Sequence, residues 1–315
     1  MRLVTRADFD GLACGTVLCK QGVVDDFIFI HPKNIQDDRM LITQNDVLTN
    51  VPFDERAGLW FDHHSSEIER VSPDGKFLGM CKTDALSCAR LVYDFYGGEA
   101  RMPELAEMIH QVDRVDSAHL TINEVLNPSD WVLLGFICDP RTGLGRWHNF
   151  EISNQDLMRL LMTKLCTDGD IHKILANRHV RARIDCYNEQ QALYDTMIAK
   201  NSKLINQVLV IDLREQSVIY TGNRFKPYAM FPESVVSITL MRGKGNKGSV
   251  VAVGKSIFKP YDFDIGNLML RYGGGGHKFV GTCQFDDLYA PEIDDIIREL
   301  GKHTGEEAIL DDKKA

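Results

Sequence analysis

The chain has no apolar run of roughly 18 residues, so no membrane span is expected. It has no Cys-x-x-Cys pair. Its eight cysteines, at 14, 19, 81, 88, 138, 166, 186 and 283, are scattered, which argues against a zinc knuckle or a thioredoxin-like dithiol. Reduced thiols and a cytoplasmic setting are the simplest reading. Gly-x-Ser-x-Gly and Walker-type sequences are missing too, which removes the serine-hydrolase elbow and the P-loop. The opening Met1 to Thr5 offers too short an apolar stretch for a signal peptide. Positive charge is also in deficit: 36 Lys and Arg stand against 45 Asp and Glu, a net −9. A protein that tracks long nucleic acid neutralises phosphates and is usually basic, so no long duplex partner is expected. Short phosphorylated ligands fit better, because bound divalent cations reverse the local sign of a carboxylate cluster.

At 315 residues and 44% hydrophobic content, the chain has material for about two well-packed domains. The first 65 residues alternate short apolar runs with helical or turn segments. Leu3 to Thr5, Phe27 to Ile30, Asp46 to Leu48 and Gly58 to Phe61 read as strands, and Gly11 to Lys20 as a helix. That alternation predicts a parallel sheet, whose ligands gather beyond the carboxyl ends of its strands. From about residue 83 the pattern turns helical, over 83–96, 103–115, 130–138 and 154–165. A connecting helix is expected over 168–200. Strand signals return at 207–212, and 235–241 with 249–253 read as a hairpin around a glycine-rich loop. The reading is a metal-binding domain over 1–185, a helical linker over 186–203 and a smaller domain over 204–315, with Asp311 to Ala315 as a frayed tail.

Three local features carry chemistry. In Arg6-Ala-Asp8-Phe-Asp10-Gly11, two aspartates spaced by two follow a strand, and glycine allows the turn that points both at one centre. Hard oxygen ligands of this kind suit Mg²⁺ and Mn²⁺. In Asp62-His63-His64, adjacent imidazoles at a strand end point in different directions, one able to ligate a metal and the other to face a phosphate. The aspartate can orient a ring. In Tyr272-Gly273-Gly274-Gly275-Gly276-His277, four glycines let backbone N–H groups approach an anion, with Lys278 adding charge. Each has an ordinary alternative: an Asp turn, a surface His pair, a flexible connection.

Taken in this order, the three resemble the DHH phosphoesterase superfamily, with a C-terminal piece similar to its DHHA1 substrate-binding domain, over nearly the whole chain. The resemblance implies an α/β fold: an N-terminal parallel-sheet domain and a smaller mixed α/β domain joined by a helical linker. It implies two Mn²⁺ or Mg²⁺ ions held by aspartates and one histidine, and such a pair, about 3.5–4 Å apart, activates water and polarises a phosphoryl oxygen. By motif, Asp8, Asp10 and His63 are carried over as metal ligands, with Asp10, Asp62, His63 and His64 as the catalytic group. Asp46 is the candidate bridging carboxylate before the Asp-His-His. Asp116 and Asp113 compete as the last ligand. His64, Arg6, Arg271, Gly273 to Gly276 and His277 are the candidate substrate contacts. One position departs from the pattern: many members have a histidine where this chain has Arg6, and arginine does not ligate metals.

The expected substrate is a short phosphodiester or phosphomonoester nucleotide, either a short single-stranded oligoribonucleotide or a bisphosphonucleotide. The alternatives are an exopolyphosphatase or pyrophosphatase-like hydrolase, and a degenerate nucleotide binder suggested by Arg6. Between Arg214 and Lys278 there are ten Lys and Arg and four acidic residues, 10 − 4 = +6, which suits a small polyanion. A homodimer is left open. The stretch Asp139 to Arg146, with two arginines and two glycines, is a second candidate phosphate loop.

Overall fold

The computed structural model describes residues 1–64, 67, 77–147, 149–243, 245 and 247–304. The expected tail over 311–315 lies outside them. The chain divides into two compact units, 1–189 and 190–315. Among the described residues, no helix is long and apolar enough to cross a membrane.

The N-terminal unit is built on a five-stranded parallel sheet: β1 (Arg2–Arg6), β2 (Asp26–Ile30), β3 (Asp46–Thr49), β4 (Leu59–Asp62) and β5 (Gly79–Cys81), in the order β2-β1-β3-β4-β5. Both faces are covered, so the strands are apolar without alternation: Leu3, Val4 and Thr5 are all fully buried. Helix α1 (Phe9–Lys20) is buried from Phe9 to Leu18. Gly15 makes this possible, since a Cβ there would stand 2.2 Å from the Met162 side chain. Next come α2 (Lys33–Gln36), α3 (Cys88–Phe95), α4 (Ala106–Asp116), α5 (Ile122–Leu126), α6 (Asp130–Cys138), α7 (Asn154–Thr167), α8 (Ile171–Leu175) and α9 (Arg178–Asn201). The expected helix over 83–96 begins only at Cys88, where Ser87 caps it by accepting the Arg90 N–H. The expected single helix over 168–200 is broken by Gly169 at φ +71° and restarts twice.

The division between units falls inside α9. Val180, Ile184 and Tyr187 pack in the N-terminal core, and Tyr194, Met197 and Ile198 in a C-terminal cluster. The C-terminal unit is a mixed six-stranded sheet, β6 (Ser202–Ile205), β7 (Val208–Asp212), β8 (Val236–Arg242), β9 (Ser249–Lys255), β10 (Gly275–His277) and β11 (Val280–Phe285), ordered β10-β11-β9-β8-β7-β6. Only β7 and β8 pair in parallel. Its helices are α10 (Lys226–Met230), α11 (Ile265–Arg271) and α12 (Glu292–Lys302).

The sheet order of the N-terminal unit sets the position of the site. The connection from β1 leads to β2 on one side, and that from β3, its neighbour on the other side, leads away to β4. Ligands of open α/β sheets bind beyond the carboxyl ends of the strands at such a reversal. The first residues past β1 and β3 there are Ala7, Asp8 and Asn50, and Asn50 donates its side-chain amide to Asp8 at 3.1 Å.

Candidate metal centre

Asp8 caps α1, its Oδ1 accepting the Gly11 N–H at 2.9 Å. Gly11 is required by space: a Cβ would lie 2.2 Å from the Arg6 carbonyl oxygen. The second oxygen of Asp8 faces the Arg6 guanidinium at 3.2 Å. Two residues on, Asp10 is buried against the start of α3, accepting the N–H groups of Cys88 (3.1 Å) and Ala89 (2.7 Å). Those are among the N–H groups a helix start leaves unsatisfied, and they favour negative charge. Burial pushes the Asp10 carboxyl well above its usual range; the charges of Asp116 and Asp8 add to this, and the two N–H groups oppose it. A cation would remove most of that cost.

Strand β4 ends in Asp62. Asp62 Oδ1 accepts the N–H of His63 (2.7 Å), the N–H of His64 (3.1 Å) and the His64 Nδ1 (2.6 Å), which bends the chain and fixes the second ring. His63 Nδ1 lies 3.2 Å from the Ala85 carbonyl, a partner that can only accept. The neutral ring therefore carries its proton there and aims the Nε2 lone pair at Asp116 Oδ2 (3.3 Å) and Asp10 Oδ2 (3.8 Å). His63 Nε2 is buried without a hydrogen-bond partner. Three electron-pair donors thus face one point, with ligand atoms within 4.8 Å of one another. One imidazole nitrogen and two carboxylate oxygens form a donor set that suits a divalent cation, and the second ring nitrogen is held by a backbone carbonyl as metal-bound histidines require.

Of the candidates named from sequence, the structure brings together Asp8, Asp10, Asp62, His63, His64, Arg6 and Asp116. It separates two others. Asp113, one helical turn before Asp116, is buried and fully engaged: it accepts Ser87 Oγ (2.7 Å) and two guanidinium nitrogens of Arg90 (2.9 and 2.6 Å). Asp46 must be corrected. It opens β3 rather than closing it, paired in register with Arg2 at the opposite end of the sheet from Asp8. Its carboxylate takes two bonds from Arg2 (2.7 and 3.0 Å) and two from Thr43 (2.7 and 3.0 Å). Burial alone would push its pKa up, but the bonds from Arg2 and Thr43 outweigh it and hold the carboxyl below its ordinary value. Such a group contributes stability above the ordinary carboxylate range and loses it as pH falls through the folded value. Arg2→Met is therefore expected to move the acid-unfolding midpoint to higher pH in a circular-dichroism titration; an unchanged midpoint would place the acid sensitivity elsewhere.

Sequence reasoning missed Asn50. The rule that selects Asp8 and Asp62, positions at or just past a strand's carboxyl end, selects Asn50 on β3 and not Asp46. In the stretch Asp139 to Arg146, Arg141 is fastened to Asp139 by its Nε at 2.8 Å. Burial draws the Arg141 pKa down, but the charge of Asp139 with its hydrogen bond, helped by the charges of Asp8 and Asp116, raises it.

In the C-terminal unit, the glycine run divides. The N–H groups of Gly273 and Gly274 bond back to Leu270 and Met269 and end α11, with Gly273 at φ +72°. These two amides are spent on the helix and are not available to a phosphate, contrary to expectation. Gly275 to His277 form β10, paired with β11. Arg271 is paired with Glu299 on α12. Basic charge in this unit is more neutralised than the local count implies: Arg214 pairs with Asp212, Lys226 with Asp195, Arg242 with Glu215 and Lys278 with Asp262. Lys255, not singled out from sequence, lies 4.9 Å from the Phe279 ring centroid and 5.9 Å from that of Tyr261. Burial and the nearby Lys278 depress its pKa. The tip of the β10–β11 hairpin therefore combines two lysines with an exposed aromatic ring.

No family model matches the chain, and no curated protein does. Solved structures do. The pGpG-specific phosphodiesterase PggH from Vibrio cholerae is 40% identical, with a TM-score of 0.80 over 96% of this chain and 98% of that one. An exopolyphosphatase-related protein from Bacteroides fragilis is 14% identical, with a TM-score of 0.53 over 96% and 92% of the two chains, and shares the fold. At 40% identity over nearly the full length of both chains, the protein belongs to the DHH phosphoesterase superfamily, with a DHHA1-type C-terminal domain, and is a phosphate-ester hydrolase.

Proposed function

We propose that the protein hydrolyses a short linear nucleotide of the pGpG kind, adding water across the internal phosphodiester to release two nucleoside 5′-monophosphates. The observation that carries this reading is the 40% identity to a pGpG-specific phosphodiesterase across both units, the centre and the C-terminal domain alike. Asp10, His63 and Asp116 hold a divalent cation, Mn²⁺ by preference. When bound, that ion supplies Lewis acidity to a phosphoryl oxygen. His64, oriented by Asp62, faces the substrate and hands a proton to the departing 3′ oxygen. Arg6 and Arg141 supply positive charge to the phosphoryl group. In the C-terminal domain, taken by itself, Lys255 and Lys278 carry the charge and Phe279 the ring face that suit a phosphate and a stacked base.

The domain limits read from sequence, 1–185 and 204–315 about a linker, are kept as the functional division, catalysis in the first and substrate choice in the second. A cytoplasmic, dimeric enzyme acting on slightly longer single-stranded RNA is compatible with the same residues.

The deciding assay sets the purified protein with Mn²⁺ against pGpG, a cyclic dinucleotide, a 3′,5′-bisphosphonucleotide, a longer RNA and polyphosphate. Turnover of pGpG to GMP should exceed that of the others. Rapid polyphosphate hydrolysis with an inert pGpG would replace this reading by the exopolyphosphatase one.

A further inference from the structure

A two-cation centre needs a second set of ligands beside Asp10, His63 and Asp116, and in this chain that second set is already occupied by the protein itself. Asp8 is the carboxylate nearest to hand. Its Oδ1 accepts two N–H donors, from Gly11 and Asn50, and its Oδ2 faces the Arg6 guanidinium. A cation about 2.1 Å from that oxygen would stand beside the permanent positive charge of Arg6. Asn50 occupies the carboxyl end of β3 with a neutral amide. Its Oδ1 is buried without a hydrogen-bond partner, but one neutral oxygen replaces neither a carboxylate nor an imidazole. Asp46 is committed to Arg2 and Thr43 at the far end of the strand.

We infer that Arg6, locked to Asp8 and supported by Asn50, takes the place of a second cation, so that the centre binds a single divalent ion. The inference rests on the phosphoesterase reading above. Arginine is always charged and presents several N–H donors in a fixed fork, so it can neutralise a phosphoryl oxygen where its relatives would place a metal. It cannot activate water as a metal does. Asp10, His63 and Asp116 would hold the one ion able to supply that chemistry.

The test counts ions in the full-length protein. Calorimetric Mn²⁺ titration should give about one tight site per chain, and low-temperature electron paramagnetic resonance should show the six-line signal of an isolated Mn²⁺, not the coupled spectrum of two ions about 3.5–4 Å apart. The double variant Arg6→His with Asn50→Asp supplies the missing imidazole and carboxylate. It should bind about two ions and show the coupled spectrum. Two tight, coupled ions in the parent protein would overturn the inference while leaving the phosphoesterase reading intact. A double variant that folds and still binds one isolated ion would overturn it as well. A parent that binds no Mn²⁺ removes the metal centre itself, and the inference with it. If the double variant does not fold, the count on the parent decides alone.

Discussion

His63→Ala is expected to cost at least about a thousandfold in kcat, because it removes the one nitrogen ligand of a centre whose ion supplies most of the charge stabilisation. The chain should still fold. The ring makes one hydrogen bond to the protein, to Ala85, worth about 1 kcal/mol. Its other nitrogen faces two carboxylates. The more telling measurement is thermal. An ion that binds only the native state stabilises it by about 2.7 kcal/mol when present at a hundred times its Kd. Mn²⁺ should therefore raise the Tm of the parent and leave that of His63→Ala nearly unmoved. A variant that keeps both the parent rate and the Mn²⁺-dependent rise in Tm would remove His63 from the centre.

The second large effect separates two aspartates that lie one turn apart on α4. Asp113→Ala is expected to destabilise the fold by about 2–4 kcal/mol, because it strands Arg90 and the Ser87 hydroxyl without their acceptor at the start of α3. Asp116→Ala should leave stability without metal unchanged or slightly higher, since its charge is one of those that raise the Asp10 carboxyl. It should nevertheless weaken Mn²⁺ binding and turnover strongly. Urea unfolding without metal and Mn²⁺ titration, run on both variants, give opposite orderings on this account. The reverse pattern, stable Asp113→Ala with lost metal, would exchange their roles.

The two aspartates also show where reading from sequence stops. Both have the right spacing from the Asp-His-His, and both lie on one amphipathic helix. Which of them faces the centre depends on how α4 packs against α3, and specifically on Arg90, a residue 23 positions away with no signal in its neighbourhood. Tertiary packing decides this because a helix turn rotates a carboxylate by about 100° per residue. Asp46 is a different case. The sequence marked a strand and an acidic residue at its end but did not say which end. Parallel pairing with β1 places Asp46 level with Arg2 and brings Asn50 to Asp8. That distinction was within reach, since the residue after Thr49 is the one that a parallel sheet presents to a ligand.

The glycine run was legible as a place where backbone must come close to something. What it approaches was not. Gly273 is there to end α11, and Gly274 because a Cβ would lie 2.1 Å from the Thr282 carbonyl oxygen. By itself the sequence marked the alternating α/β plan and, as separate strand-end motifs, Asp8 with Asp10 and Asp62 to His64, because each is local: a strand end, a turn and a residue type together specify it. The departure at Arg6 shows only against the family resemblance. The tertiary structure alone decided that Asp116 and not Asp113 faces Asp10 and His63, that Asp46 is remote from them, and that Arg6 pairs with Asp8. These depend on strand register, helix rotation and side-chain pairing between residues far apart in the chain, none of which leaves a periodic trace in the sequence.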